Sequence, residues 1–329
     1  MAGRGSRLRP HTLTIPKPLM PVAGKPIVQR LVEDIAKVSE EKVDEIAFII
    51  GDFGTETEKQ LKGIAESLGA KGSIYHQEEA LGTAHAILCA GDSLEGNVVV
   101  AFADTLFRAD FKLDTENDGI IWVNQIDDPS AFGVVQLDDD GVIVNFVEKP
   151  QEFISDLAII GVYYFKDGAN LKSELQYLID NNIMDKGEYQ LTDAMENMKQ
   201  KGLKFYTGQV EEWLDCGNKD ATLYTMERIL EIKAEKETMQ NASAKLENST
   251  IIQPCFIGEN VVISNSVVGP HVSLEAGSVV ENSIVKTSII GKDSKVKNCI
   301  IEKSLLGNNV NCNSKAEELS LGDFSFRIC

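Results

Sequence analysis

Residues 257–291 read IGENVVISNSVVGPHVSLEAGSVVENSIVKTSIIG, and the spacing of their aliphatic residues is the most informative pattern in the chain. One aliphatic residue recurs every five or six positions, and glycine follows it directly at four of these places. A hexapeptide β-helix has this period, because each short strand turns one apolar side chain inward. With about three such strands to a coil, we expect about three coils over residues 246–314. The recurring residues are Ile252, Ile257, Ile263, Val268, Leu274, Val280, Val285, Ile290, Val296, Ile301 and Leu306.

The region before these repeats alternates helix and strand patterns. A helical pattern begins at Ile27, apolar runs typical of buried strands occupy residues 45–50 and 98–102, and residues 83–89 have helical spacing. This alternation predicts an α/β domain with a largely parallel sheet. The Asp-Gly pair within residues 136–143 predicts a hairpin inserted into that scheme.

A length of 329 residues suggests about two domains. We expect a first domain over residues 1–220 and a connecting helix over residues 221–245, where the pattern is helical and charged. The β-helix then covers residues 246–314. Residues 315–329 have lost the repeat and are expected to form a cap or tail.

The charge of the chain is unevenly distributed. It has 32 basic and 51 acidic residues, a net charge of −19, which argues against general binding to nucleic acid or anionic membranes. Residues 1–30 nevertheless contain six lysines and arginines and no acidic residue. Because glycines and prolines interrupt these basic residues, we interpret the segment as a shaped anion-binding loop rather than a solvated arm.

The six cysteines indicate the redox compartment. They form no C-x-x-C pair and no zinc-type spacing with the four histidines, and the sequence has no signal-peptide pattern or long apolar run. We therefore expect free thiols in a reducing cytoplasm.

The basic N-terminal segment contains a specific motif, GRGSRLRP at residues 3–10 and KPLMPVAGKP at residues 17–26. Glycines let backbone N–H groups approach phosphate oxygens, and Arg7 and Lys17 can neutralise those oxygens. The motif resembles the signature of sugar-1-phosphate nucleotidylyltransferases, G-x-G-[ST]-R-[LM]-x-P-x-T followed by P-K-P-L-x-P-V.

The resemblance implies a fold and a reaction. The fold is a Rossmann-like, mixed and mostly parallel sheet flanked by helices, followed by a short left-handed hexapeptide β-helix. The reaction joins an NTP to a sugar-1-phosphate, giving an NDP-sugar and pyrophosphate, as in glucose-1-phosphate thymidylyltransferase-like members. By resemblance Gly3, Gly5 and Ser6 bind the nucleotide, and Arg7 and Lys17 are catalytic.

Residues 77–84, QEEALGTA, resemble the base-reading loop of that family. A buried amide suits base reading, since it donates and accepts in one plane. The resemblance therefore implies nucleotide binding by Gln77, Gly82 and Thr83. The loop is similar to that of pyrimidine-using members, so we expect dTTP first and UTP next, with glucose-1-phosphate as the favoured sugar phosphate.

Two aspartates are expected to hold Mg²⁺. Asp104 follows the apolar run at 98–102, at the carboxyl end of a strand, where ligand sites of open α/β sheets collect. Asp215 lies in WLDCG, which resembles the W-x-D-x-G of the family. Mg²⁺ prefers oxygen ligands and substrate phosphates.

Three further segments resemble the elements that face the sugar: FGVV at residues 132–135, VEKP at 147–150 and GVY at 161–163. By resemblance Gly133, Glu148, Lys149 and Tyr163 bind the sugar phosphate, with Glu148 accepting hydrogen bonds from sugar hydroxyls and Lys149 binding the phosphate. The motif at residues 187–193 resembles a segment that shapes the same site.

The glycine-rich loop also raises an expectation about the start of the chain. In this fold a buried strand precedes such a loop, whereas the sequence reaches the first glycine at residue 3. We therefore expect that the first strand is missing from this sequence, either because the protein starts several residues earlier or because the sequence was trimmed.

Three alternatives stay open. A bifunctional enzyme would add acyl transfer in the β-helix, where His271 is the one histidine. A non-catalytic regulatory subunit would bind an NDP-sugar without turnover. A β-helix scaffold protein would not bind a nucleotide at all. In every case we expect a homo-oligomer and no nucleic-acid or membrane partner.

Overall fold

The structure is a computed structural model that describes residues 5–39 and 41–314. The predicted nucleotide ligand Gly3 and the predicted cap or tail at 315–329 lie outside the described residues. The chain forms two compact units. The first comprises the chain up to Met20 and Lys25–Ala221, and the second comprises Pro21–Gly24 and the chain from Thr222.

The part of the chain up to residue 233 alternates helices and strands, as its sequence pattern predicts. In chain order the helices are α1 (Ile27–Val38), α2 (Thr55–Ser67), α3 (Thr83–Cys89), α4 (Gly168–Asp180), α5 (Leu191–Gln200) and α6 (Lys219–Lys233). The strands are β1 (Pro21–Val22), β2 (Lys25–Pro26), β3 (Glu45–Ile50), β4 (Lys71–His76), β5 (Val98–Ala101), β6 (Thr105–Arg108), β7 (Gly119–Gln125), β8 (Gly133–Leu137), β9 (Ile143–Glu148), β10 (Leu157–Phe165), β11 (Phe205–Gln209) and β12 (Glu212–Asp215).

The main sheet of the first unit is mixed. Its antiparallel strand pairs outnumber its parallel pairs, whereas a mostly parallel sheet was expected. Its order is β11-β7-β10-β8-β9, and β5 also pairs with β10. The long strand β10 runs antiparallel to β5, β7 and β8. β7 and β11 are parallel, as are β3 and β4. The predicted hairpin is confirmed as β8–β9, and such a direct turn produces antiparallel neighbours without a crossover helix.

Strand β5 is less buried than its apolar sequence predicts. All of its residues are only half-buried, although a strand covered on both faces was expected. Within the described residues β5 pairs with β10 alone, and β3 pairs with β4 alone. Each of these strands therefore has one edge along which no described strand pairs, which leaves part of its side-chain surface accessible.

The core of the first unit lies between the main sheet and helices α3, α4 and α5. Phe205 on β11 contacts Phe165 and Phe146 edge to face, with ring centroids 6.2 and 5.6 Å apart. Leu175 of α4 and Met195 of α5 belong to the same buried cluster. The packed sheet and helices form a rigid support for the loops at the carboxyl ends of the strands.

The second unit contains the predicted β-helix. Its strands form three parallel sheets with orders β13-β16-β19-β22-β25, β14-β17-β20-β23 and β15-β18-β21-β24. The strands are β13 (Lys245–Glu247), β14 (Thr250–Ile251), β15 (Cys255–Ile257), β16 (Val262–Ser264), β17 (Val267–Val268), β18 (Val272–Leu274), β19 (Val279–Glu281), β20 (Ile284–Lys286), β21 (Ser288–Ile290), β22 (Lys295–Lys297), β23 (Ile300–Glu302), β24 (Leu305–Leu306) and β25 (Asn311–Asn313).

The β-helix is longer than expected. Five stacked strands in one sheet make four coils, whereas about three were expected from the spacing alone. Ile263, Val280 and Val296 occupy equivalent places in successive coils and are fully buried. Inward aliphatic residues of successive coils therefore build a continuous core, as the repeat predicts. Ile252 is the exception among the predicted inward residues, because it is 42% exposed and its neighbour Ile251 packs against the core instead.

The connecting helix is shorter than expected, because α6 ends at Lys233 instead of continuing toward Gln240. The backbone of Asn241 donates to Ile257, and Ile257 donates to Met239. Residues 239–241 thus pair with β15 instead of continuing the helix. Among the described helices, none combines the length and apolar character that crossing a membrane would require.

Candidate active site

The glycine-rich loop is held in shape by its own contacts. Gly5 has a positive φ of 56°, which favours glycine, and its carbonyl accepts a 2.7 Å hydrogen bond from Thr12. A Cβ on Gly5 would lie only 3.0 Å from a methyl carbon of Thr12. Leu8 is buried in the same turn, whereas Ser6 and Arg7 are exposed. The loop therefore presents the Arg7 side chain to solvent, where an anionic ligand can reach it.

Lys17 connects this loop to the end of strand β5. Its Nζ lies 2.8 Å from Oδ2 of Asp104, in the turn between β5 and β6. The lysine side chain is only 9% exposed and the aspartate side chain 41% exposed. A charged amine is buried at low cost only when it is paired, so Asp104 stabilises Lys17 in this position.

Asp215 lies beside the same pair. It ends strand β12, opposite Thr105 of β6, and the backbone N–H of Cys216 donates to the carbonyl of Asp104. Burial raises the pKa of Asp215 above its usual value, and the charge of Asp104 raises it further. The backbone N–H of Gly217, together with Lys17 and Arg7, acts in the opposite direction on this pKa.

Gly217 explains the glycine of the WLDCG motif. A Cβ at this position would lie 2.6 Å from Oδ2 of Asp215. Only glycine therefore lets the backbone N–H approach the carboxylate this closely. Two carboxylates, one lysine and one arginine are thus brought within electrostatic reach of each other.

The pair Asp104 and Asp215 is suited to a divalent cation. Burial and then the charge of Asp104 raise the pKa of Asp215, and a bound cation would stabilise its ionised form. In the described part of the chain, no group of three or more histidine, cysteine, aspartate or glutamate side chains could hold a metal ion. A cation here would therefore take its remaining ligands from water or substrate phosphates, which is typical of Mg²⁺.

The second cluster is the predicted base-reading loop. Gln77 follows β4 and is 9% exposed. Its Nε2 lies 3.1 Å from the carbonyl oxygen of Gly82 and 3.0 Å from Nδ1 of His85 on α3. Gly82 has a φ of 108°, and a Cβ there would lie 2.7 Å from the backbone nitrogen of Tyr189. The loop thus needs glycine for both its conformation and its close approach to Tyr189.

The segment before α5 holds this loop in place. The backbone N–H of Ala84 donates to Tyr189, and that of Tyr189 donates to Leu81. The hydroxyl of Thr83 accepts from the backbone N–H of Leu191 at 3.0 Å and lies 3.3 Å from the Gln190 side chain. Thr83 therefore orders the loop through its side chain, in addition to any contact with a nucleotide.

The third cluster centres on Glu148. Gly133 pairs with Glu148 across the β8–β9 hairpin, and a Cβ on Gly133 would lie 3.0 Å from Oε2 of Glu148. Lys149 has a positive φ of 44°, and its Nζ lies 3.3 Å from Oε1 of Glu148. Burial and then the charge of Glu148 raise the pKa of Tyr163 above its usual value. Glu148 thus faces a cation, a phenol and a glycine.

The predicted sugar-phosphate ligand Tyr163 is buried, unlike the other predicted ligands of this cluster. Its side chain is 5% exposed and packs edge to face on Phe102, with ring centroids 5.6 Å apart. Tyr163 therefore lies in the core, within electrostatic reach of Glu148. The roles of Ser6, Arg7 and the remaining predicted ligands stay predictions, but the structure gathers them in three clusters.

Two residues of these clusters were not selected from the sequence. His85 contacts Gln77, and the only sequence signal is one polar residue in the otherwise apolar run AHAILC. Asp193 lies in the first turn of α5, where an acidic residue is a common helix-start signal and does not by itself indicate a binding site. Burial, then the charges of Asp185 and Glu148, raise its pKa above the usual value. Asp193 thus lies within electrostatic reach of Glu148.

Comparisons with known proteins match both parts of the chain. The nucleotidyl transferase family profile matches residues 1–232, and the profile of the GlmU-like C-terminal hexapeptide domain matches residues 234–317. The glucose-1-phosphate thymidylyltransferase of Streptomyces antibioticus is 31% identical, over 98% of this chain and 96% of its own. The bifunctional protein GlmU of Methanocaldococcus jannaschii is 30% identical, over 99% of this chain and 81% of its own.

A solved structure shares the fold. It comes from Bacillus anthracis and is described as a candidate glucose-1-phosphate thymidylyltransferase in complex with sucrose. The match has a TM-score of 0.59 at 22% identity and covers 73% of this chain and 95% of that one. The hexapeptide match identifies the β-helix as left-handed.

Nucleotidyltransferases of this kind generally use a divalent metal. The matched profiles, relatives and fold lead to one assignment: the chain belongs to the nucleotidyl transferase family and is a sugar-1-phosphate nucleotidyltransferase with a GlmU-like hexapeptide domain.

Proposed function

We propose that this enzyme transfers a nucleotidyl group from dTTP to glucose-1-phosphate in the presence of Mg²⁺, with UTP as the next-best nucleotide. The observation that carries the proposal is the meeting of Lys17, Asp104 and Asp215, with Arg7 in electrostatic reach. Such a cluster of cations and carboxylates is suited to a polyphosphate and its metal ion.

The proposed reaction needs no covalent enzyme intermediate. An oxygen of the sugar phosphate attacks the α-phosphorus of the nucleotide, the bond between that phosphorus and the bridging oxygen breaks, and pyrophosphate leaves with the electron pair. Catalysis then consists of positioning and charge neutralisation. Arg7 would stabilise the departing pyrophosphate, and Lys17 and Lys149 would neutralise the phosphates on either side.

Asp104 and Asp215 are the residues that would hold the metal ion. A bound Mg²⁺ would neutralise charge that develops at the α-phosphate. Lys17 contacts Oδ2 of Asp104, so the lysine can orient this carboxylate before the nucleotide binds.

The other two clusters are the proposed binding sites for the nucleobase and for the sugar. Gln77, Gly82 and Thr83 form the ordered loop that would read the base, and Gly5 and Ser6 would contact the phosphates. Glu148 would accept hydrogen bonds from sugar hydroxyls beside Gly133. The names of two Streptomyces relatives, both glucose-1-phosphate thymidylyltransferases, support dTTP and glucose-1-phosphate as the leading pair.

A substrate panel tests this proposal. Pyrophosphate release would be measured with dTTP, UTP, dCTP, ATP and GTP, each combined with glucose-1-phosphate, galactose-1-phosphate or N-acetylglucosamine-1-phosphate. We expect the highest kcat/KM for dTTP with glucose-1-phosphate. Preference for ATP or GTP would overturn the base assignment, and preference for another sugar phosphate would overturn the sugar assignment.

A second activity is favoured by one observation in the β-helix. Nε2 of His271 lies 3.0 Å from Oε1 of Glu231, an arrangement in which a carboxylate can orient a histidine base. Several relatives are named bifunctional protein GlmU. Acetyl transfer from acetyl-CoA to glucosamine-1-phosphate that is lost in His271→Ala would establish this activity. Absence of acetyl transfer in the wild type would reject it.

The regulatory-subunit alternative predicts that NDP-sugar binds without turnover, so any pyrophosphate release rejects it. We also propose a homo-oligomer and a cytoplasmic location. The described cysteines Cys89, Cys216, Cys255, Cys299 and Cys312 are free thiols, which supports a reducing compartment. Light scattering at several protein concentrations would test the assembly, and a monomer at all of them would contradict it.

A further inference from the structure

We infer that His85 is a positioning residue that fixes the amide of Gln77, so that Gln77 presents only its carbonyl oxygen to the nucleobase. The inference rests on the proposed function, in which Gln77 reads the base. It adds a residue outside the glycine and lysine motifs and gives a physical reason for a preference among pyrimidines.

The orientation of the Gln77 amide follows from its two partners. The backbone carbonyl oxygen of Gly82 can only accept a hydrogen bond, so the side-chain atom 3.1 Å from it must be the amide nitrogen. This assignment does not depend on the tautomer of the histidine. The carbonyl of Gly82 is itself fixed, because it also accepts from the backbone N–H of Ala86 in the first turn of α3.

His85 takes the second hydrogen of the same nitrogen. Its Nδ1 lies 3.0 Å from Nε2 of Gln77 and must therefore act as an acceptor, which requires the neutral ring with its proton on Nε2. Both amide hydrogens of Gln77 are then used. Within the described structure, no hydrogen bond involves Oε1 of Gln77, which is thus the group available to a ligand.

A lone acceptor discriminates between pyrimidines. Thymine and uracil carry an N3–H donor on their base-pairing edge, whereas cytosine carries an acceptor at N3. With Oε1 fixed opposite N3 of the base, thymine and uracil gain a hydrogen bond, whereas the acceptor N3 of cytosine meets another acceptor. Without His85 the amide could rotate and offer its N–H instead, so the loop would distinguish these bases poorly.

The position of His85 suits this role. It lies on α3, whose first turn is clamped to the segment before α5 through Ala84 and Thr83. The imidazole is therefore carried by an ordered helix and not by a mobile loop. A residue that contacts a ligand-binding side chain, and not the ligand itself, typically acts by fixing the orientation of that side chain.

The test compares kcat/KM for dTTP and dCTP, each with glucose-1-phosphate, in wild type, His85→Ala and His85→Asn. The ratio of the two values cancels differences in the active fraction, so partial unfolding of a variant does not obscure the result. We expect the wild type to prefer dTTP and His85→Ala to lower the ratio about tenfold, the loss of roughly one hydrogen bond. His85→Asn should restore most of the ratio, because its side-chain oxygen can replace Nδ1 as acceptor.

Three results would overturn the inference: an unchanged ratio in His85→Ala, equal loss in His85→Asn and His85→Ala, or a wild type that prefers dCTP. A wild type that turns over no nucleotide would instead reject the proposed function, and the inference with it. The two failures are therefore distinguishable.

Discussion

Nζ of Lys17 lies 2.8 Å from Oδ2 of Asp104, which joins the opening loop to the end of strand β5 across 87 positions of sequence. The lysine is buried and the aspartate is partly accessible. Burial and then the charge of Asp104 raise the pKa of Asp215. The positive charge of Lys17 therefore lies beside Asp104 and Asp215, the two carboxylates proposed to hold the metal ion.

The first prediction concerns this lysine. Lys17→Met should lower kcat by roughly 100- to 1000-fold, because it removes a preorganised positive charge from the phosphate site. Steady-state pyrophosphate release measures the effect. Lys59→Met is the matched control, since Lys59 is exposed on α2 and pairs only with Glu56 among the contacts of its side chain that are described. Equal kcat values for the two variants would contradict the role of Lys17.

The second prediction concerns Asp215 and pH. Its folded-state pKa is raised above the unfolded value of about 3.8, so the stability linked to its protonated form is lost as pH rises through the folded pKa. Asp215→Asn stays neutral and should therefore have a higher Tm than wild type at pH 7 in EDTA. This difference should shrink as pH falls below the unfolded value.

Adding Mg²⁺ and dTTP should raise the Tm of the wild type more than that of Asp215→Asn, because binding to the folded state stabilises it. Thermal unfolding followed by circular dichroism gives both values. Identical Tm values for wild type and Asp215→Asn in EDTA at pH 7 would show that the folded state does not destabilise the ionised Asp215 carboxylate. Equal stabilisation by Mg²⁺ and dTTP would show that it does not bind the ion.

The third prediction concerns the base-reading loop. Gly82→Ala places a side chain at a φ of 108° and against the backbone of Tyr189. We expect a loss of about 1–3 kcal/mol in the free energy of unfolding and a roughly tenfold higher KM for the nucleotide.

Gly63→Ala is the control for that substitution. Gly63 lies within α2 and a Cβ there meets open space, so alanine should be neutral or add about 0.5–1 kcal/mol of stability. Urea unfolding compares the two variants. A Gly82→Ala protein as stable as Gly63→Ala would contradict the packing against Tyr189.

The fourth prediction separates sugar binding from nucleotide binding. Glu148→Gln should raise the KM for glucose-1-phosphate by about tenfold or more, since a charged acceptor for sugar hydroxyls becomes a neutral one. The KM for dTTP should stay within about twofold. The exposed Glu152, replaced by Gln, serves as control. A change confined to the KM for dTTP would contradict the assignment of Glu148 to the sugar site.

Local sequence patterns predicted the local structure well. The helix over residues 83–89 and the hairpin around residues 138–142 follow from side-chain period and from an Asp-Gly turn. The β-helix follows from one aliphatic residue per strand, as the buried Ile263 and Val280 illustrate. Each of these features depends on residues within a few positions of one another.

Features that depend on distant residues were predicted less well. Residues 239–241 pair with β15 instead of extending α6 beyond Lys233, and no local pattern indicates this pairing. The antiparallel partners of β10 depend on chain topology, since an apolar run is compatible with either direction. The bond between Gln77 and His85 depends on the positive φ of Gly82, so the histidine looked isolated in the sequence.

The most direct test of the central claim is a ³¹P NMR time course of the enzyme with dTTP, glucose-1-phosphate and Mg²⁺. We predict that pyrophosphate and a nucleotide sugar appear in equal amounts as both substrates disappear, and that Asp104→Asn slows this exchange by roughly 100-fold or more. Release of inorganic phosphate and dTDP, or no change in the substrate signals, would contradict the account.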